Sequence, residues 1–230
     1  MARLSIIVPV LDEARAIDAA LRTLQQLRAA GAEVIVVDGG SRDATRSLAA
    51  PLADRVIDAP RGRASQMNAG ARASRGEVLL FLHADTLLPP DALDAISRLD
   101  GAGRDWGRFD VAIAGAGPLL ALVARLMNAR SRASGIATGD QAIFVRRAAF
   151  EAVGGYPAIP LMEDVALCKA LKRRSAPLCL RSRVETSARR WERHGTLRTI
   201  VLMWRLRLAY ALGADPHRLA RRYDVERTSS

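Results

Sequence analysis

The chain has 230 residues, half of them hydrophobic but only 4% aromatic, and carries a net charge of +11. Such a length buries one large α/β core or two small ones without disulfide staples, and the two cysteines, Cys168 and Cys179, form no framework. They have no metal-type spacing with His83, His194 or His217 and read as buried thiols of a reducing, cytoplasmic setting. The charge invites a nucleic-acid partner. Single-strand binding, however, needs aromatics among the basic residues, and these are scarce. All but Lys169 and Lys172 of the basic residues are arginines, concentrated after Lys169 on what reads as one basic face.

Leu4 to Val10 is an apolar, β-branched strand, and Pro9-Val10-Leu11-Asp12-Glu13 turns it into a helix from about Ala14 to Ala30. Leu21, Leu24 and Leu27 give that helix a stripe, and Gly31 ends it. Val34 to Val37 is a second strand, closing on Asp38-Gly39-Gly40-Ser41-Arg42-Asp43, where Ser41 or Asp43 can cap a helix reaching about Ala50. Arg55 to Asp58 is a short third strand, Arg61-Gly62-Arg63 a loop, and Ser65 to Ala73 a helix. Val78 to Leu82 is a continuous apolar run, expected to be a central parallel strand covered on both faces. It delivers His83 and Asp85 to its carboxyl end, where open α/β sheets bind ligands. Asp85 would serve equally well as a turn residue ahead of the helix from Asp91 to Leu99.

Beyond it, Gly107 to Ala114 is expected to be an edge strand, Leu119 to Arg130 an amphipathic helix and Ala142 to Arg146 a strand. Arg147 to Val153 reads as a helix stopped by Gly154-Gly155, and Met162 to Arg173 as another with Glu163-Asp164 in its first turn. The last third reads as helical and basic. Within it, Leu197, Ile200, Val201, Trp204, Leu208 and Ala211 fall on one helix face with Arg198 and Arg205 beside it. That pattern fits contact with an anionic membrane, and equally packing on the core or a second subunit. The apolar stretches Phe109 to Met127 and Leu197 to Leu212 are interrupted by glycine or arginine, so neither is expected to cross a membrane. No secretory signal is visible and no repeat or linker divides the chain, so 1–230 reads as one domain.

The chemistry follows from the strand ends. Gly-x-Gly-x-x-Gly is missing between the first strand and helix, which argues against NAD or FAD, and no Walker sequence occurs. A nucleotidyltransferase would show a Gly-rich loop with Arg and Lys after the first strand, which is also missing. Instead, acids gather at successive strand ends: Asp12 and Glu13, Asp38, Asp85, then Glu163-Asp164. Carboxylates so placed repel one another unless a cation stands among them, which points to a divalent metal, Mn²⁺ or Mg²⁺, with oxygen ligands. Arg61, Arg63, Arg189 and Arg190 supply counter-charge suited to phosphate. Together they describe a pocket for a metal-bound diphosphate.

Ser5-Ile6-Ile7-Val8-Pro9-Val10-Leu11-Asp12-Glu13, Val36-Val37-Asp38-Gly39-Gly40-Ser41-Arg42-Asp43-Ala44-Thr45, Asn68-Ala69-Gly70 and Phe81-Leu82-His83-Ala84-Asp85, in that order, resemble the GT-A glycosyltransferases of family 2. Gly139-Asp140-Gln141, Glu163-Asp164 and Ser187-Ala188-Arg189-Arg190-Trp191 are similar to the radical-SAM/selenodomain-associated subgroup, and the likeness runs from about Leu4 to Gly195. It implies a mainly parallel sheet flanked by helices with a helical C-terminal segment. Residues 1–100 would be a nucleotide-binding half, 101–195 an acceptor and catalytic half, and 196–230 a helical extension. It further implies inverting transfer of a sugar, hexosyltransferase-like, from a nucleotide-diphosphate sugar to a hydroxyl of an unidentified lipid, saccharide or small molecule. Pro9 and Glu13 would line the nucleoside pocket, Asp38 would meet base or ribose, and Arg61 and Asn68 the ribose or diphosphate. Asp85 would bind metal, with His83 in place of the motif's first acid. Gly139, Asp140 and Gln141 would shape the sugar or acceptor side and Asp164, beside Glu163, would be the base. Arg189, Arg190 and Trp191 would hold the leaving diphosphate and the acceptor. Position 187 is serine, which departs from the Gln-x-x-Arg-Trp of processive polymerases.

Overall fold

Side-chain alternation explains how the sheet is buried. In a computed structural model, which describes residues 3–115, 117–189 and 195–228, the predicted strands β1 (Leu4–Val10), β2 (Glu33–Asp38), β3 (Arg55–Asp58) and β4 (Val78–Phe81) form one parallel block. Successive residues of a strand point to opposite faces. Ile6, Val8, Val34, Val36, Val78 and Leu80 therefore enter one core layer, while Ile7, Ile35, Val37, Leu79 and Phe81 enter the other. Helices α1 (Ile17–Thr23) and α2 (Gln25–Ala29) cover the first layer. Helix α4 (Arg63–Ala73) covers the second, after α3 (Thr45–Ala49). Gly70 lets α4 lie flat on the sheet, since a Cβ there would stand 2.4 Å from Ile7 Cγ2. The helix expected over Ala14 to Ala30 is broken at Leu24. Thr23 Oγ1 and Gln25 Nε2 take the Ala20 and Leu21 carbonyls, each at 2.7 Å, in competition with the helix ladder.

The second half departs further from expectation. After β5 (Thr86–Leu87) and α5 (Ala92–Gly101), strand β6 (Trp106–Ile113) lies inside the sheet and not at its edge. Later segments flank it: β7 (Phe144–Arg146) antiparallel on one side and β8 (Leu178–Thr186) parallel on the other. The last third is thus not purely helical. In β8 Leu180, Val184 and Thr186 are buried while Arg181, Arg183 and Glu185 are exposed, an alternation obscured by the density of arginines. The full order is β3-β2-β1-β4-β7-β6-β8-β5. Further helices among the described residues are α6 (Pro118–Ser134), α7 (Arg147–Ala152), α8 (Glu163–Lys172), α9 (Thr196–Ala211) and α10 (Pro216–Thr228). The last two dock on the start of α8, where Leu206 and Leu219 pack with Met162 and Val165. None of the described helices is long and apolar enough to cross a membrane.

Candidate active site

Short polar side chains hold the strand-end loops, so acidic turns can stand at the mouth of a buried sheet. Asp12, at φ 54°, accepts the Arg42 N–H at 2.8 Å, and its own N–H donates to Ser41 Oγ at 2.9 Å. The Glu13 and Ala14 N–H groups donate to Thr45 Oγ1 and Asp43 Oδ2 at 2.8 and 3.1 Å. Asp38 is buried, and its oxygens accept the Ser41 N–H at 3.2 and 3.0 Å with Arg46 at 3.4 Å. Where β1 and β2 end, Gln66 Nε2 donates to the Val10 and Val37 carbonyls, both at 2.8 Å. These turns are braced before any ligand arrives.

The braced loops rim a cavity of about 690 Å³ lined on the sheet side by Pro9, Glu13, Arg61, Arg63, His83 and Asp85, and by Glu163 and Arg189 beyond. Arg189 Nη2 lies 3.5 Å from Glu13 Oε2 and 3.8 Å from Asp85 Oδ2, standing between the two carboxylates. Burial pushes the Glu13 carboxyl above its usual range, Arg189 opposes this, and Asp85 adds to it. His83 Nδ1 is 3.4 Å from Asp140 Oδ1. The Nε2–Cε1 edge of the ring also abuts Gly139, where a Cβ would stand 2.4 Å from Nε2.

Glu163 and Asp164 open α8 with different surroundings. Glu163, 6% exposed, reaches the cavity wall, and burial beside Asp164 raises its pKa to about 7. Asp164 is turned toward the 3₁₀ turn Gly139–Gln141, accepting the Gly139 N–H at 2.9 Å and the Val165 N–H at 2.7 Å. Burial raises its pKa too, with those two N–H groups pulling against the shift. Since Gly139 touches both His83 and Asp164, the base candidate stands directly behind the wall that His83 helps to form.

The described residues contain no group of three His, Cys, Asp or Glu able to cage a metal alone. Hard cations such as Mg²⁺ commonly need only one or two carboxylates when phosphate oxygens complete the shell. Asp85, with a third of its side chain exposed and facing the cavity, fits that open mode, with His83 beside it.

Of the residues expected at the site, Pro9, Glu13, Arg61, His83, Asp85, Glu163 and Arg189 line one cavity. Asp38, Asn68, Gly139, Asp140, Gln141 and Asp164 do not line it. Asn68 bonds the Tyr156 backbone at 2.8 and 3.0 Å, and Gln141, fully buried, reaches Asn128 at 3.4 Å. Arg190 and Trp191, like His194, lie outside the described residues. Sequence reasoning missed the far wall, made by Arg198, Thr199, Leu202 and Met203 of α9 with Ala220 and Tyr223 of α10. The only signal was the helical spacing of Thr199, Leu202 and Met203, on the side of α9 away from its more prominent apolar stripe.

Residues 5–103 match the sequence profile of Glycosyl transferase family 2, in agreement with the resemblance in the motifs. Among curated relatives, the PGL/p-HBAD biosynthesis glycosyltransferase of Mycobacterium bovis is 36% identical over 105 residues, 42% of this chain and 41% of that protein. The chain spans between about a fifth and two fifths of the length of the curated relatives it matches. In structure it is similar to the mannosyltransferase PcManGT of Pyrobaculum calidifontis, solved with GDP-Man and Mn²⁺: TM-score 0.65, 21% identity, 90% of this chain and 61% of that one. It is also similar to S. aureus TarS 1-349 solved with UDP-GlcNAc: TM-score 0.64, 19% identity, 80% of this chain and 58% of that one. The chain has the GT-A glycosyltransferase fold.

Proposed function

We propose that this chain is a glycosyltransferase that moves a sugar, with inversion, from a nucleotide-diphosphate donor to a hydroxyl of a lipid, saccharide or small-molecule acceptor. The observation that carries the reading is the single cavity in which Glu13, Asp85 and Glu163 face Arg61, Arg63 and Arg189 at the strand ends. Pro9 and Glu13 receive the nucleoside side of the donor, and the arginines receive its diphosphate, whose negative charge grows as the sugar leaves. Asp85, with His83, would hold a divalent cation, and bound there Mn²⁺ or Mg²⁺ would neutralise charge on the departing diphosphate. Two of the solved neighbours support that donor class by the nucleotide sugars they were solved with.

In the transfer, the acceptor oxygen attacks the anomeric carbon as the bond from that carbon to the diphosphate oxygen breaks. The hydroxyl proton passes to a carboxylate, and the nucleoside diphosphate departs with the bonding electrons. Asp164 is that base in our reading, because two N–H donors fix its direction while burial keeps its basicity above that of a free aspartate. Glu163 is the competing base on one observation: it reaches the cavity and has a pKa near 7. A thermal-shift panel of nucleoside diphosphates and their sugars, with and without Mn²⁺, tests the donor reading, since a ligand held only by the folded state raises the melting temperature with its affinity. No shift with any of them would overturn it.

A further inference from the structure

Helix α9 carries two opposed faces. Thr199 and Leu206 are buried, and Leu202 and Met203 pack inward. Opposite them Leu197, Val201, Trp204, Leu208, Ala211 and Leu212 are exposed, Trp204 by 73% and Leu212 by 80%. At about 100° per residue these six fall in a strip roughly 100° wide, with Arg205 and Arg198 along one margin. Packing of this face on the protein's own core is thus excluded for all but Ile200, which meets Val123 and Ala124 of α6. On that neighbouring helix Leu119, Leu122 and Leu126 are exposed as well. Single exposed leucines are ordinary, but a stripe of this kind marks an interaction surface.

We propose that this face of α9 docks on an anionic lipid surface. Leucine, valine and a central tryptophan on one face with arginines at its margin is the composition of a helix lying in the headgroup region. The charge selects the partner. Residues Thr196–Ala211 include three arginines and no acid, so a two-fold pairing of two copies would bring the arginine rows together without counter-charge. An anionic bilayer supplies that counter-charge. A hollow of about 340 Å³ between Leu197, Val201 and Leu202 is flanked by Arg198 and Arg205. Arg198 and Leu202 also line the main cavity, so docking would set the cavity entrance beside the headgroups.

Vesicle binding by the full chain tests this without donor or acceptor, and so independently of the transfer reaction. At low salt the protein is expected to float with vesicles of equal parts phosphatidylcholine and phosphatidylglycerol, and not with phosphatidylcholine alone. Arg205→Gln should weaken partitioning about five-fold. Trp204→Ser combined with Leu208→Ser should weaken it roughly ten-fold or more at an unchanged melting temperature, because both side chains stand in solvent. Failure to float, or equal flotation of the double variant, would overturn the proposal. So would a wild-type dimer in sedimentation velocity that the double variant dissolves while neither protein floats, since the face would then be a contact between copies.

Discussion

Glu163→Gln probes the carboxylate that the fold buries at the cavity wall. Its pKa rises from 4.5 to about 7 because burial and the neighbouring Asp164 both disfavour the charged form. In the unfolded chain the group loses its proton near pH 4.5, and in the folded chain only near neutrality. Between the two the folded state binds more protons, so stability falls as pH rises through that window and the full penalty stands above pH 7. At about 1.4 kcal/mol per pKa unit the penalty is about 3 kcal/mol. A buried glutamine amide without partners returns about 1 kcal/mol of it, leaving a net gain of about 2 kcal/mol at pH 8, or roughly 4–8 °C in melting temperature for a domain of this size. Below pH 4.5 the gain should be lost and the variant should be about 1 kcal/mol less stable than the wild type. Differential scanning fluorimetry of wild type and variant from pH 4.5 to pH 8 measures it. A melting-temperature difference that does not change with pH would refute the burial argument.

Asp164→Asn is expected to keep donor affinity while lowering turnover roughly 10²–10⁴-fold, and Glu163→Gln to lower it less; steady-state kinetics beside calorimetric donor titration separates the two, and the reverse ranking transfers the base role to Glu163. Asp85→Ala should abolish any strengthening of nucleoside-diphosphate binding by Mn²⁺ or Mg²⁺, and calorimetry giving the wild type equal affinity in EDTA would count against a metal at this position. Gly139→Ala puts a Cβ 2.4 Å from His83 Nε2, so it should cost about 1–3 kcal/mol by urea titration and weaken the metal dependence as the His83 ring is pushed aside.

The sheet side of the cavity was legible because its determinants are local. The β-branched runs of β1 and β2 set two strands, the apolar run of β4 a third, and the acids stand where those runs stop. Which acids face the cavity was not legible. Asp38 and Asp85 both come after apolar runs in the sequence, yet three residues of turn close Asp38 into its own hydrogen bonds while Asp85 stays open. The alternation of Leu180, Ser182, Val184 and Thr186 marks strand β8, but the arginines between them give the segment the composition of a charged helical tail. The far wall was beyond local pattern altogether, because it depends on α9 and α10 folding back onto α8.

The strand order also dictates a sequence of events during synthesis. The block β3-β2-β1-β4 closes among neighbours in the chain, so it can assemble while the rest is still emerging. Strand β4 then presents an open edge until Phe144–Arg146 arrives, and β6 stays unpaired on its other side until β8 has been made. The Thr86–Thr186 pairing spans 100 residues and is the last to become available. For that interval the half-built sheet offers backbone donors and acceptors to any other extended chain. A chain cut short before β8 keeps the braced strand-end turns but leaves β5 and one edge of β6 without their native partner, and is expected to aggregate rather than persist as a folded fragment.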